Sequence, residues 1–259
     1  MADQALYKSR PVFCFTSDVD WAAEAALLIQ QKIFDKYDIK ATYFITHESP
    51  LIRKWHKVGK IDIGIHPNFL PGSSHGDSFD KVIDTVMKLV PDAHCFRAHR
   101  CFDVTPVTHK LVKRGLLYDS NLVTNLQQDL GPIEHESGLW RFPVFYEDGT
   151  HFEWRRSWDF SEFKDAFGQP GLKVISTHPM ITALNVTTPE YWAALKEKFP
   201  PDKWLRMTAN EIEANMTRDD LGDPAIGPKM FLESIAGFAR EAGLTIMTLE
   251  ELYQNFKNT

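Results

Sequence analysis

Several features that would assign this chain to a compartment are scarce or absent. The 259 residues include only three cysteines, Cys14, Cys95 and Cys101, which we interpret as reduced thiols of a cytosolic protein. No apolar run approaches the roughly 20 residues of a membrane-spanning helix. The first eight residues also lack the apolar core of a signal peptide. These absences predict a cytoplasmic protein without a membrane span.

Positive charge and phosphate-binding loops are also scarce. The chain has 29 lysine and arginine residues against 35 aspartate and glutamate residues, a net charge of −6, and no basic cluster, which argues against a nucleic-acid partner. No Gly-x-Gly-x-x-Gly or Gly-Lys-Ser/Thr loop follows a predicted strand, which weakens a nucleotide-binding interpretation. Because no linker or internal repeat is visible, we predict a single domain over 1–259, with an insertion near 180–227. The oligomeric state stays open.

Short apolar segments alternate with amphipathic ones along the chain. Strands are predicted over 12–16, 41–46, 61–65, 95–97, 116–119, 139–145, 172–177 and 244–247. Helices are predicted over 22–37, 79–90, 105–114, 230–240 and 249–256. Strands separated by helices indicate an α/β fold with a parallel sheet, and about seven such units favour a barrel over an open sheet.

The end of the first predicted strand holds two carboxylates, Asp18 and Asp20, just before the helix predicted from Ala22. The carboxyl ends of parallel strands are where α/β proteins place their active sites. One carboxylate could hold a metal ion while the other removes a proton from water. The alternative is that Asp20 caps the following helix, because carboxylates favour helix N-termini.

Other polar residues follow the later strands. In a barrel such positions converge on one mouth, whatever their separation in sequence. A carboxylate with two neutral imidazoles suits a borderline divalent ion such as Zn²⁺, with a coordination position left for water. The candidates are His66, His75, Arg97, His99, Arg100, Asp119 and His178.

The order of these motifs resembles the polysaccharide deacetylase (NodB-homology, carbohydrate esterase 4-like) family. The corresponding segments are 16–20, 66–68, 97–100, 139–143 and 175–178. The resemblance implies an irregular (β/α)7-type barrel and a metal-dependent de-N-acetylase. The motifs Asp-Val-Asp-Trp and His-Pro-Asn-Phe-Leu-Pro are similar to those of the family branch associated with bacterial surface-polysaccharide (O-antigen) loci.

The resemblance also implies a role for each matching residue. Asp18 corresponds to the catalytic base and Asp20 to the metal-binding carboxylate, displaced by the inserted Val19. His66 corresponds to the first metal histidine. Arg97 corresponds to the arginine that orients the base, and His178 to the histidine that protonates the leaving amine. The implied cofactor is a divalent metal, Zn²⁺ in the first place, with Co²⁺ or Ni²⁺ as alternatives.

The second metal histidine of the family pattern is missing. Its spacing falls on Leu70, which cannot bind a metal. We expect His75 to replace it, with Asn68 or a water molecule as the alternative. His99 stands where the family has proline, and it is expected, with Arg100, to contact an acidic substrate group or to serve as a spare ligand.

Aromatic residues between the later strands are candidates for the substrate pocket. The family builds a pocket wall for the acyl methyl group or a sugar face from this segment, which here includes Trp140 and Pro143, with Trp154 and Trp158 downstream. Core packing is the alternative for each tryptophan. We interpret His94, His109, His135 and His151 as surface or loop residues.

The predicted function is a metal-dependent hydrolase that removes an N-acyl group, most simply acetyl, from an amino sugar of a polysaccharide or its precursor. Arg100, Arg155 and Arg156 are candidates for contacting a phosphate or uronate. One alternative is hydrolysis of another C–N bond, such as a formamide or an allantoin-like ring amide. The other is a catalytically degenerate barrel that binds sugar, which the missing histidine at position 70 favours.

Overall fold

The computed structural model describes residues 6–257 and is built around one curled sheet. The order of strands in the sheet is β6-β7-β5-β4-β3-β2-β1-β9-β8, with β10 beside β1, and every pairing is parallel except that of β6 with β7. The strands are β1 (Pro11–Asp18), β2 (Thr42–Ile45), β3 (Asp62–Ile65), β4 (Cys95–Phe96), β5 (Tyr118–Asp119), β6 (Ile133–Glu134), β7 (Trp140–Arg141), β8 (Val144–Glu147), β9 (Gly171–Thr177) and β10 (Thr245–Ile246).

Helices separate most of the strands, as the alternating pattern predicts. They are α1 (Leu6–Ser9), α2 (Glu24–Lys36), α3 (Pro50–Lys57), α4 (Phe79–Leu89), α5 (Thr105–Lys113), α6 (Asp148–Glu153), α7 (Lys164–Gly168), α8 (Pro179–Leu184), α9 (Pro189–Lys198), α10 (Pro201–Trp204), α11 (Ala209–Ala214), α12 (Pro228–Glu241) and α13 (Leu249–Lys257). The predicted insertion near 180–227 therefore contains helices α9 to α11 and most of α8. No helix within 6–257 is long and apolar enough to cross a bilayer.

The sheet curls because its two ends belong to one stretch of chain. At one end β7 pairs with β5, at the other β8 pairs with β9, and only Phe142 and Pro143 separate β7 from β8. The backbone N–H of Phe142 still bonds to Asp119, while Val144 bonds to Leu122. Proline at this bend is consistent with its lack of a ladder donor. The predicted strand over 139–145 is thus split, and the bend brings the two sides of the barrel together.

Strand β1 lies at the centre of the fold and is buried along its whole length. Seven of its residues are in register with β9, and its C-terminal residues pair with β2. A strand buried on both faces reads as a near-continuous apolar run, as Val12 to Phe15 does. The structure extends the predicted strand by two residues, to Asp18, so that this carboxylate is part of the ladder. The predicted α/β barrel of the (β/α)7 type is confirmed.

Candidate active site

A tight turn after β1 orients the second carboxylate. Val19 prolongs the ladder through its N–H to the carbonyl of Phe44 (3.0 Å), and Ala22 then bonds back to Val19 (2.8 Å). The two residues between them, Asp20 and Trp21, both have positive φ, 44° and 54°. Such strained conformations cluster at functional sites. The turn accommodates the inserted Val19 and directs Asp20 toward two histidines, while α2 begins later, after Ala23. The capping interpretation of Asp20 is therefore wrong.

The carboxylate of Asp20 forms a compact cluster with two imidazoles. Its Oδ1 atom lies 3.0 Å from His66 Nε2 and 2.8 Å from His99 Nδ1. The three potential ligand atoms lie within 4.8 Å of one another. Although burial opposes it, the two neighbouring imidazoles hold the pKa of Asp20 well below its usual range. The cluster offers one oxygen and two nitrogen donors.

The hydrogen-bonding state of His66 shows that this cluster fits a metal. The His66 side chain is 1% exposed, yet neither ring nitrogen has a hydrogen-bond partner. Its Nε2 atom is close to Asp20 Oδ1, but the geometry is not that of a hydrogen bond. A buried polar atom without a partner costs free energy. Coordination would satisfy Nε2, and a carboxylate with two imidazoles suits a first-row divalent ion.

The other carboxylate, Asp18, is held by a buried arginine. Arg97 Nη1 lies 2.7 Å from Asp18 Oδ1 and 2.9 Å from the hydroxyl oxygens of both Thr16 and Ser176. The rest of the guanidinium donates to the carbonyl and hydroxyl of Ser120, at 2.6 and 2.8 Å. These contacts immobilise Arg97 and leave the second oxygen of Asp18 facing the cavity. The predicted pairing of Arg97 with Asp18 is confirmed.

His178 faces both carboxylates from the end of β9. Its Nε2 atom lies 3.9 Å from Asp18 Oδ2 and 3.7 Å from Asp20 Oδ2. Its Nδ1 atom lies 2.6 Å from a buried carboxylate, that of Asp148, which also accepts the His178 backbone N–H. Although burial opposes it, the Asp148 carboxylate raises the pKa of His178 well above its usual value. The pair resembles the arrangement that fixes the tautomer of catalytic histidines.

Asp148 was missed by the sequence analysis. It is the first residue of α6 and lies 30 residues before His178, in a segment whose nearest signal was the strand β8. The only local hint is an acidic residue where a helix begins, which normally indicates a helix-dipole interaction.

His75 does not join the metal cluster. Its Nε2 atom lies 2.8 Å from the carbonyl of Thr46, and its Nδ1 accepts the backbone N–H of Asn68 (3.1 Å). Both ring nitrogens are thus engaged with the main chain. The side chain of Asn68 accepts from the N–H of Leu70 and is engaged locally as well. The expected placement of His75 or Asn68 beside Asp20 and His66 is wrong, because the imidazole that lies there is that of His99.

A cavity of about 620 Å³ opens over these residues. Asp18, Asp20, His99 and His178 contribute to its lining. This volume lies within the range of small-ligand sites. The further lining residues are Leu70, Arg100, Cys101, Val123, Glu147, Gly149, Thr150, Phe152, Glu153, Trp154, Ile181, Trp192 and Lys196.

Two residues predicted to form the pocket wall lie elsewhere. Trp140 packs against Phe256 of α13, with ring centroids 5.1 Å apart, and Pro143 is buried at the bend between β7 and β8. Neither lines the cavity, and Trp154 takes that position instead. Trp158 also packs away from the cavity, donating to the carbonyl of Thr187.

Two further residues, Asp119 and His151, are buried in the protein interior and not placed as the sequence predicted. Asp119, grouped with the residues of the mouth, is fully buried in an ion pair with Arg141. His151, interpreted as a surface or loop residue, is buried and packs against Trp158 with tilted rings, whose centroids are 4.3 Å apart. Burial lowers the pKa of His151 to about 4, as expected for an imidazole in an aromatic core.

Three solved structures are similar to this chain, one of them with a TM-score above 0.5. The polysaccharide deacetylase WbmS of Bordetella bronchiseptica, described as involved in O-antigen biosynthesis, is 25% identical over 87% of this chain and 89% of its own, with a TM-score of 0.73. The Bc1960 peptidoglycan N-acetylglucosamine deacetylase is 15% identical, with coverage of 94% and 88% and a TM-score of 0.48. A family 4 carbohydrate esterase from Streptomyces lividans is 12% identical, with 92% coverage of each chain and a TM-score of 0.48.

The amino-acid sequence itself matches a family model. No curated protein matches the sequence. Residues 15–196, however, match the model described as WbmS-like polysaccharide deacetylase. This range includes the C-terminal half of β1, the turn with Asp20, and His66, Arg97, His99 and His178. The predicted resemblance, including its surface-polysaccharide branch, is confirmed. The chain belongs to the WbmS-like polysaccharide deacetylase family.

Proposed function

We propose that the protein is a metal-dependent hydrolase that removes an N-acyl group, most simply acetyl, from an amino sugar of a surface polysaccharide or its cytoplasmic precursor. The single observation that carries this proposal is the juxtaposition of two different sites. A carboxylate–imidazole cluster lies beside an arginine-bound carboxylate, and a histidine faces both. Membership of the family supports the carbohydrate substrate class.

In this proposal the metal ligands are Asp20, His66 and His99. A divalent ion bound there supplies Lewis-acid polarisation of the amide carbonyl and makes water more acidic. Zn²⁺ is the first choice for an oxygen and two imidazole nitrogens, with Co²⁺ and Ni²⁺ as alternatives. Because His66 is buried with both nitrogens unpartnered, we expect the ion to stabilise the fold as well as to serve the reaction.

The protein's own residues then move the protons. Asp18 accepts a proton from the attacking water through its cavity-facing oxygen, while Arg97 fixes the carboxylate. On the opposite side, His178 gives a proton to the departing nitrogen. Asp148 holds its Nδ1 proton, so that Nε2 points at the reacting atoms. The products are a free amine and a carboxylate, acetate for an acetyl group.

The alternative function, a catalytically degenerate barrel that binds sugar, is weakened by the structure of the cluster. That alternative depended on the missing histidine at position 70, and His99 now supplies the third donor atom from a different loop. Hydrolysis of another C–N bond, such as a formamide or ring amide, uses the same machinery and differs in the acyl pocket. The acyl group is therefore the part of the proposal that activity measurements must decide.

Metal content tests the ligand set directly. We expect wild-type protein loaded with Zn²⁺ to retain about one ion per chain, as a three-ligand catalytic site requires. His99→Ala and Asp20→Ala should each lose it. His75→Ala is the matched control and should retain the ion, because both nitrogens of His75 contact the main chain. Retention by His99→Ala with loss in His75→Ala would reverse the ligand assignment.

Release of acetate tests the reaction. Wild-type, Zn²⁺-loaded protein should liberate acetate from N-acetylated amino sugars. The same preparation should be assayed for formate from N-formyl sugars and for ring opening of allantoin. Acetate release points to a deacetylase, whereas formate or ring opening alone would replace it with one of the other C–N hydrolases.

A further inference from the structure

Two cations line the active-site cavity without a partner of their own. Arg100 and Lys196 both contribute to its wall, and neither makes a hydrogen bond or an ion pair with any residue of 6–257. The neighbouring arginines behave differently. Arg155 pairs with Glu190, and Arg156 lies over the ring of Trp154 at 5.5 Å. Of the three arginines predicted to meet an acidic group, only Arg100 is both in the cavity and unpaired.

Lys196 is held in place by the inserted helix α9. Its ammonium lies 4.5 Å from the ring centroid of Trp192, one turn earlier on the same helix. Trp192 in turn packs edge-on against Trp204, at 5.3 Å, and the neighbouring Leu195 is buried. A cation stacked on an aromatic face loses less freedom when it binds a ligand. The insertion therefore contributes a positioned positive charge to the catalytic cavity.

Arg100 is placed by the metal-site loop. It directly follows His99, whose Nδ1 contacts Asp20, and its backbone is left-handed with φ 57°. The next residue, Cys101, is also left-handed, and its N–H bonds to the carbonyl of Ala98. The loop thus fixes Arg100 immediately beside the residues that hold the metal. Arg100 and Lys196 line the same cavity as Asp20.

The acidic residues of the cavity are mostly engaged. Asp18 is paired with Arg97, and Asp20 faces its two histidines. Glu147 accepts the N–H and hydroxyl of Thr150 as the N-cap of α6. The remaining carboxylate of the lining, that of Glu153, shares the cavity with the two cations Arg100 and Lys196. In formal charge Glu147 and Glu153 balance Arg100 and Lys196, but neither carboxylate forms an ion pair with either cation among residues 6–257.

We propose that Arg100 and Lys196 form a subsite for an anionic group of the substrate. The protein would then act on an acidic N-acyl amino sugar and not on a neutral glycan. The anionic group of this substrate is a carboxylate on the sugar ring or a phosphate attached to the sugar. This inference rests on the proposed function, because it assumes that the acyl group lies at the metal cluster.

Binding of three probes tests the subsite. The probes are the methyl glycoside of N-acetylglucosamine, the corresponding N-acetylated uronic acid, and N-acetylglucosamine 1-phosphate. Dissociation constants are measured by calorimetry on full-length, Zn²⁺-loaded protein carrying Asp18→Asn, so that the probes are not consumed. We expect one anionic probe to bind about tenfold more tightly than the neutral glycoside, a preference that weakens as salt is added. The uronic acid and the phosphate separate the two sources of charge.

Substitutions on the same background assign the preference to the two cations. Lys196→Met, which keeps the apolar stem against Trp192, and Arg100→Gln should each reduce it by about fivefold, the size of a solvent-exposed charge contact. Lys196→Arg, which keeps the positive charge, should retain the preference for the anionic probe. Lys198→Met is the matched control, because Lys198 lies on the same helix but bonds to Asn215 and does not line the cavity.

Equal binding of all three probes, failure of both anionic probes to bind, or a preference that survives Lys196→Met and Arg100→Gln would overturn the subsite. Acetate release from wild-type protein is a separate readout. If anionic probes bind as expected but no acetate appears, the subsite stands and the deacetylase proposal fails. If acetate is released but neutral and anionic probes bind equally, the subsite fails and the deacetylase proposal stands.

Discussion

Two buried arginine–aspartate pairs in this barrel have the same composition but different consequences. Arg97 follows the end of β4 and Asp18 ends β1, and these strands are not neighbours in the sheet, so the ion pair crosses the barrel. Arg141 and Asp119 are directly opposite each other in the β5–β7 ladder. One pair joins distant strands at the mouth, and the other reinforces a local pairing beside the bend.

The carboxylate oxygens show the difference most clearly. Asp119 is saturated: Arg141 makes three contacts to its two oxygens at 2.8–3.1 Å, and the N–H of Asn121 adds a fourth bond. Asp18 gives one oxygen to Arg97, while the other has only Ser176 at 3.5 Å and His178 at 3.9 Å. A carboxylate that must accept a proton needs such an uncommitted oxygen. The free oxygen, and not burial or charge pairing, distinguishes the Asp18–Arg97 pair at the proposed active site from the Asp119–Arg141 pair.

The largest expected effect comes from Asp18→Asn. This substitution keeps the shape of the side chain and removes the base, so acetate release should fall by about 10²–10⁴-fold. Metal content should stay unchanged, because Asp18 is not a ligand. The same substitution in the other pair, Asp119→Asn, should leave the activity of folded protein within a few-fold of wild type. Equal losses in both variants would erase the distinction between the pairs.

Arg141→Met should act on stability. It leaves Asp119 buried without its counterion, so the free energy of unfolding should fall by about 3–5 kcal/mol, measured by urea denaturation. Burial already raises the pKa of Asp119 to about 6, above its unfolded value. The folded state therefore retains a proton that the unfolded chain releases, and stability falls as pH rises through this range. We expect a larger loss at pH 8 than at pH 5, and a pH-independent loss would contradict this account.

A third buried pair, His178 with Asp148, allows a smaller effect to be measured. Asp148 raises the pKa of His178, whose protonated form is present below that pKa and lost as pH rises through it. Asp148→Asn should lower this pKa, so the alkaline limb of the activity profile should move to lower pH. The profile of kcat against pH checks this. A shift of the acidic limb alone would mean that His178 is not the proton donor.

Ser176→Ala should have the smallest effect. It removes one hydroxyl beside Arg97 and the weak contact with the free oxygen of Asp18. We expect a loss of about 1 kcal/mol in unfolding free energy, the usual value for one hydrogen bond, and a modest change in kcat. Thr16→Val, which removes the other hydroxyl that contacts Arg97, is the matched comparison. A loss of activity as large as that of Asp18→Asn would show that Ser176 has a direct role.

The sequence predicted most of the fold and the pairing within the site. The alternation of strands and helices indicated the barrel, and motif order identified Asp18, Asp20, His66, Arg97 and His178. The boundaries moved by a few residues, most visibly where the strand over 139–145 divided at Pro143. Such a division depends on which neighbours pair with each half, which is information outside the segment.

The third metal ligand is where local reasoning failed. The family spacing after His66 falls on Leu70, and His75, a few residues later on the same loop, was expected to replace it. In the structure the second imidazole beside Asp20 is that of His99, 33 residues after His66 and on the neighbouring strand's loop. Nothing local separates the two, because the choice depends on whether each ring's nitrogens are already engaged by the main chain.

The sequence alone determined the class of fold, the family and the chemical types gathered at the strand ends, because hydrophobic periodicity and motif order are properties of the chain itself. Tertiary structure decided which histidine completes the cluster, that Asp148 supports His178, and that Asp119 is structural. It also placed Lys196 of the insertion in the catalytic cavity. These are contacts between residues tens to more than a hundred positions apart, and the curl of the sheet that makes them is fixed only when all of its strands have paired.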